Sequence, residues 1–169
     1  PHHVWAIDFQ FDQTMDGRTL KFLNVIDEYS RVCLAIRVGR RCTAVDVIDT
    51  IEDLLKLYPA PTHLRMDNGP EMTSDTFTEW AKEKGITLLF IQPGKPNQNA
   101  FVERFNRSFR DEVLDANLFN SIAEAQEAAE IWVMDYNEFR PHDSLGDKTP
   151  MEFMPRTFKT GISSFELST

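Results

Sequence analysis

The sequence predicts a mixed α/β domain, a five-stranded sheet with helices on both faces. Three observations lead there. Apolar alternation marks three strands joined by links short enough to make them an antiparallel meander. Helix and strand patterns then alternate, and two helical patterns close the run. With 169 residues, 41% hydrophobic and 27% charged, the chain suits one domain with a core of its own.

The first strand is "HVWAIDFQF", with Trp5, Ile7, Phe9 and Phe11 on one face and Val4, Ala6, Asp8 and Gln10 on the other. Asp16-Gly17 gives a turn, and a second strand follows over 20–26. The third, over 31–38, sets Val32, Leu34, Ile36 and Val38 against Arg31, Cys33, Ala35 and Arg37. Thr43 and Asp46 form a capping box for a helix with Val45, Ile48, Ile51, Leu55 and Tyr58 on its stripe, ended by Pro59 and Pro61. "THLRMD" is the fourth strand, Leu64 and Met66 opposite His63, Arg65 and Asp67, and Asn68-Gly69-Pro70 breaks it. A helix over 74–84 packs Phe77, Trp80 and Ala81 and stops at Gly85. "ITLLFI" is apolar on both faces, which predicts a strand well inside the sheet.

Next comes "PGKPNQNAFVERFNRSFRDEV", a breaker-rich loop running into a helix striped by Phe101, Val102, Phe105, Phe109 and Val113. Its cap falls at Asn97 or Asn99. Ser121 with Glu124 opens the last long helix, whose stripe is Ile122, Ala125, Ala129, Trp132, Tyr136 and Phe139. Trp5, Trp80 and Trp132 read as core. The tail, from "RPHDSLGDKTPMEFMP" onward, is rich in turn residues and expected at the surface. Residues 1–154 read as the core domain and 155–169 as a C-terminal tail.

Composition narrows the function classes. No apolar run is long enough to span a bilayer, and no basic-then-apolar leader opens the chain. Cys33 and Cys42 read as reduced thiols of a cytoplasmic protein, and no His/Cys zinc spacing appears. The net charge of −9 argues at first against nucleic acid. Its distribution reverses that argument. Residues 111–139 carry eight acids and no Lys or Arg, whereas 92–110 carry four bases and one acid. A local basic site can hold phosphates if the acidic block faces away.

The single acid in that basic stretch is Glu103, among Arg104, Arg107 and Arg110. Glu103, Arg107 and Arg110 lie within about 60° of one another on the helix, roughly opposite its apolar stripe. Taken alone, Glu103 reads as an i,i+4 surface partner of Arg107. Two further acids change the balance. Asp8 lies on the strand face away from the aromatics. Asp67 ends the fourth strand before a Gly turn, where ligands gather in open α/β sheets. Each has a plain alternative, an edge-strand acid and a turn former. Three converging carboxylates repel one another unless cations bind them, and Mg²⁺ or Mn²⁺ suits oxygen ligands. Glu71 reads as a solvated loop acid, Asn68 as a turn residue, and His142 as a packing residue.

Asp8 in "VWAIDFQF", Asp67 in "LRMDNGPE" and Glu103 in "FVERFNRSF" resemble the Asp-Asp-Glu triad of the retroviral integrase catalytic core. They are most similar to bacterial insertion-sequence transposases that share it. Thirty-five residues separate Asp67 from Glu103, the spacing of that group, and "NEFRPHDSLGDKTPMEF" is similar to the tail they carry. The resemblance implies a ribonuclease H-like fold, with the triad as catalytic and metal-binding residues and two Mg²⁺ or Mn²⁺ ions per site. It implies cleavage at transposon ends and strand transfer on double-stranded DNA. It places DNA contacts at Lys95, Arg104, Arg107 and Arg110, and implies a homo-oligomer in the bacterial cytoplasm, associated with the nucleoid. The chain then reads as a catalytic core, with recognition of transposon ends outside it. Two alternatives stand beside this reading: a nuclease of the same fold that cuts without joining, and a non-catalytic DNA-binding remnant.

Overall fold

The computed structural model describes residues 1–154; the predicted tail 155–169 lies outside the described residues. Strands β1 (Val4–Gln13), β2 (Thr19–Asp27) and β3 (Cys33–Gly39) form the antiparallel meander. Helix α1 (Ala44–Leu57) leads to β4 (His63–Met66), which pairs parallel with β1. A short helix, α2 (Pro70–Thr73), precedes α3 (Asp75–Lys84), and β5 (Thr87–Phe90) joins β4 in parallel. The sheet order is β3-β2-β1-β4-β5. Helices α4 (Ala100–Phe109), α5 (Ile122–Phe139) and α6 (Pro150–Phe153) complete the domain.

Two apolar clusters cover the two faces. One joins Phe22, Ile36 and Val38 to Val102, Phe105 and Phe109 of α4 and Ala129 and Trp132 of α5. The other joins Trp5, Ile7, Leu64 and Met66 to Ile51 of α1 and Phe77 of α3. The β1 alternation therefore divides as the sequence implies, Ala6 in the first cluster and Trp5 and Ile7 in the second. The Thr43–Asp46 capping box forms, and Gly85 ends α3 in the left-handed region at φ 71°.

Several expectations are corrected. The third strand begins at Cys33, because Arg31 turns through φ 65°. A register shift opposite Val25 and Ile26 breaks its alternation, so Cys33, Ile36 and Val38 join one cluster while Leu34 and Ala35 pack against the other. The α1 stripe is Val47, Ile51, Leu54 and Leu55, and Val45 is exposed. Strand β5 is an edge strand, not a central one, and its Phe90 reaches solvent. Phe101 and Phe139 also leave the core: Phe101 lies under the Arg31 guanidinium at 3.6 Å, and Phe139 is exposed.

Where Phe139 is expected to pack, Asn137 is buried instead. It accepts from the Cys33 N–H at 2.9 Å and donates to the Cys33 carbonyl at 2.9 Å. Three turns earlier Gln126 accepts from Val38 N–H and donates to the Ile36 carbonyl. Eleven helical residues span roughly 16 Å, as do five strand residues, so the two amides reach both ends of the β3 edge. Helix α5 thus closes one of the sheet's two open edges. Asn137→Ala strands two backbone groups and costs about 2–4 kcal/mol, measurable by urea unfolding.

Candidate active site

Asp8 sits midway along β1, opposite Asn24 of β2. The parallel register pairs Val4 with His63 and Ala6 with Arg65. Carried two residues further, it brings Asp67 beside Asp8 just past the end of β4. Asp67 is exposed and its Oδ1 accepts the Gly69 N–H at 3.0 Å. A Cβ on Gly69 would meet that oxygen at 3.0 Å and the Glu71 Oε2 at 3.3 Å, so a larger residue here would push against both carboxylates. The Asn68 amide donates to the Ile91 carbonyl, tying the β4 exit to the β5 exit. Glu71 is not a solvated loop acid: it pairs with Lys21, whose ammonium lies 4.1 Å from the Phe9 ring centre.

Helix α4 supplies the third acid. Its N-terminus follows a 3₁₀ turn (Pro96–Asn99), and no side chain among the described residues caps it. Arg65 donates to the Gln98 carbonyl at 2.8 Å, and the Gln92 N–H donates to Gln98 Oε1 at 2.7 Å, so the approach to α4 is tied to β4 and to the β5 exit. Glu103 is half-buried. Among the described residues no ion pair links it to Arg107, so the i,i+4 surface pair does not form.

Asp8 feels the charge of both other acids. Burial pushes the Asp8 carboxyl up, and the charges of Asp67 and Glu103 add to it, reaching about 6. The backbone at Phe9 and the Asn106 amide oppose the rise. Among the described residues no three acid, His or Cys side chains already form a group able to hold an ion. The three acids offer only oxygen donors, the kind that suits a hard divalent cation.

A network absent from the sequence reading fixes this geometry. Asn106, one turn after Glu103, donates to Asp8 Oδ2 at 2.7 Å. The buried Asn24 amide donates to Asn106 Oδ1 and to Gln10 Oε1, both at 2.7 Å. Gln10 in turn donates to the Asn106 carbonyl at 2.8 Å. β1, β2 and α4 are therefore locked together beside Asp8. The available signal was a lone Asn in the apolar run "TLKFLNVID".

The basic residues separate. Lys95 and Arg107 are exposed. Arg110 donates to the Phe11 carbonyl at 2.6 Å and lies 3.6 Å from Asp115, so it is held against β1. Arg104 turns toward a cavity lined by Arg31 and His142. His142 packs edge-on against Tyr136. Cys33 and Cys42 are buried free thiols, and burial pushes both up. No helix among the described residues is long and apolar enough to cross a membrane.

Asp8 carries a pH signature. Its carboxyl rises from 3.8 to about 6 on folding, so the folded state prefers the protonated form. Stability from this group is present at low pH and lost as pH rises from 3.8 through about 6, by up to ~3 kcal/mol. Urea unfolding of the wild type and Asp8→Asn across that range isolates it: the wild type loses stability relative to the variant as pH rises.

Comparison with known proteins agrees with this architecture. Two family profiles, both described as Integrase core domain, match residues 1–96 and 84–150. The chain is 39% identical over 153 residues to an uncharacterized protein of insertion element IS407 from Burkholderia multivorans, covering 90% of this chain and 55% of that protein. It is 27% identical over 153 residues to the transposase for insertion sequence element IS629 from Shigella sonnei, covering 90% of this chain and 51% of that one. The chain thus spans about half the length of these relatives. Among solved structures, the HTLV-2 integrase catalytic core domain in complex with magnesium superposes with a TM-score of 0.70 at 20% identity, covering 90% of this chain and 96% of that one. The BIV integrase catalytic core domain gives 0.68 at 24%, covering 90% and 93%. The ribonuclease H-like fold expected from the sequence is the fold observed. The chain belongs to the integrase core domain family.

Proposed function

We propose that this chain is the catalytic core of an insertion-sequence transposase, cutting DNA at the element's ends and joining the freed ends to target DNA. The observation that carries the reading is the pairing of β1 with β4, whose register runs on to set Asp67 beside Asp8, with α4, the helix of Glu103, docked on Asp8 through the Asn106 amide. Asp8, Asp67 and Glu103 would hold two Mg²⁺ or Mn²⁺ ions. When bound, such ions supply the Lewis acidity that activates an attacking oxygen and stabilises a leaving one.

The chain's own residues do the rest. Asn106 orients the Asp8 carboxylate by donating to its Oδ2. Lys95 and Arg107, exposed on the approach loop and on α4, hold phosphates that the acids would repel. In the first step water attacks the phosphorus and the 3′-oxygen leaves as a hydroxyl. In the second that hydroxyl attacks another phosphodiester, displacing its 3′-oxygen. The protein works as a homo-oligomer in the bacterial cytoplasm, on DNA. Its domain boundary falls near residue 154.

The test is a labelled duplex carrying the element's end, incubated with the full-length protein and Mg²⁺ or Mn²⁺. Nicked and then joined products support the reading. Cleavage without joining favours the nuclease alternative, and DNA binding with neither product favours the remnant.

A further inference from the structure

Arg31, Arg104 and Arg140 line one cavity of about 220 Å³, with Tyr136, His142 and Ser144. It lies between α4, the turn into β3 and the turn after α5. Its charges are unevenly compensated. Arg140 is paired with Glu112 at 2.6 Å and lies 3.9 Å from Asp135. Arg31 and Arg104 have no carboxylate within ion-pair distance among the described residues. Arg31 stacks on Phe101, which leaves the in-plane N–H donors of its guanidinium for another ligand. Its backbone sits at φ 65°, an unfavourable region for arginine, pinned by its N–H donating to the Asp27 carbonyl. His142 also lines the cavity, and its Nε2 is buried with no hydrogen-bond partner among the described residues. Burial lowers the affinity of this imidazole for a proton, and the three arginines add to that, with only Asp143 opposing.

We propose that this cavity is a phosphate site that takes a backbone phosphate of the DNA engaged at Glu103. The proposal rests on the DNA reading above. Converging guanidiniums repel one another unless an anion joins them, and their planar forks match phosphate oxygens. The neighbourhood selects DNA: Arg104 directly follows Glu103, about 100° around the same helix. A duplex whose scissile phosphate meets Glu103 therefore brings flanking phosphates past Arg104. The backbone would run from the active-site face, over the first turns of α4, to the turn after α5. His142 and Arg140 of the "RPHDS" segment thereby gain a role beyond packing.

The test is equilibrium binding of a short duplex over a salt series, in EDTA so that no chemistry intervenes. The unchanged protein is compared with Arg31→Gln, Arg104→Gln, the double variant, and Lys95→Gln/Arg107→Gln, all checked for folding by circular dichroism. Arg31→Lys keeps the charge without the fork. Each single change should weaken binding, and the double change, which removes the contact to that one phosphate, should reduce the salt slope by about one. Arg31→Lys should restore the slope but not the full affinity. If the cavity variants leave affinity and slope unchanged while Lys95→Gln/Arg107→Gln lowers both, the cavity proposal is wrong and the DNA reading stands. If the unchanged protein binds no duplex, the DNA reading itself fails. Should 10 mM-scale (~) inorganic phosphate raise the melting temperature of the unchanged protein but not the double variant, with DNA slopes unmoved, the cavity serves free phosphate instead.

Discussion

Asp67→Asn should abolish both cleavage and joining while leaving the fold intact. The change is close to isosteric, and the asparagine Oδ1 can still accept the Gly69 N–H that closes the turn. Asp67 is exposed, so no core contact is lost. What disappears is one negative charge beside Asp8. Removing a residue that only orients a metal ligand typically costs 10–100-fold, and loss of a ligand should cost no less, so activity should fall by at least ~100-fold. The same variant removes part of the repulsion on Asp8, so the Asp8 carboxyl should titrate lower, as read by carboxyl ¹³C NMR. Wild-type activity in Asp67→Asn would remove it from the site. An Asp8 titration that does not move would show that the two acids are not coupled.

The second large effect falls on a residue that touches neither DNA nor metal. Asn24→Leu fills the same buried space but withdraws two donors, from Gln10 Oε1 and Asn106 Oδ1. Each stranded acceptor costs about 1–3 kcal/mol. Part is offset, because Asn24 Oδ1 is itself buried without a partner among the described residues and leucine removes that atom. A net loss of about 2 kcal/mol follows, measured by urea unfolding. The larger consequence is positional. Asn106 loses the contact that fixes its amide against Asp8, so Mn²⁺ affinity should fall 10–100-fold at temperatures where the variant is fully folded. A stability loss without a change in Mn²⁺ affinity would reduce the network to a packing feature.

Much of the fold was legible because local rules and tertiary demands agree. The alternation of β1, the Thr43 cap and the Gly85 stop are dictated within a few residues of sequence. Misreadings arose where a distant partner decides. "ITLLFI" looks central by composition, yet β5 is at the edge because no later strand among the described residues pairs with it. Phe139 fits the α5 stripe, but the open backbone of β3 claims the neighbouring Asn137. Val45 matches a helical period whose phase is set one turn later by Val47 and Ile51. In the candidate site, the three acids could be named from the sequence through their family resemblance. Their neighbours could not be. Asn24 and Gln10 become site residues only through the pairing of β1 with β2 and the docking of α4, contacts 14 to 96 residues apart in sequence. The fate of the arginines was equally hidden. Four bases on one stretch look equivalent, but Arg110 is turned to β1, Arg104 to the Arg31 cavity, and Lys95 and Arg107 to solvent.

The most direct measurement is anomalous diffraction from crystals of this protein soaked in Mn²⁺ above pH 7, where the Asp8 carboxyl is ionised. The expected result is an anomalous peak within coordination distance of Asp8 and Asp67 oxygens, with Glu103 turned toward it, and no such peak in Asp67→Asn. Manganese bound only elsewhere on the surface, with the space between the three carboxylates left to water at saturating ion, would contradict the assignment of this site.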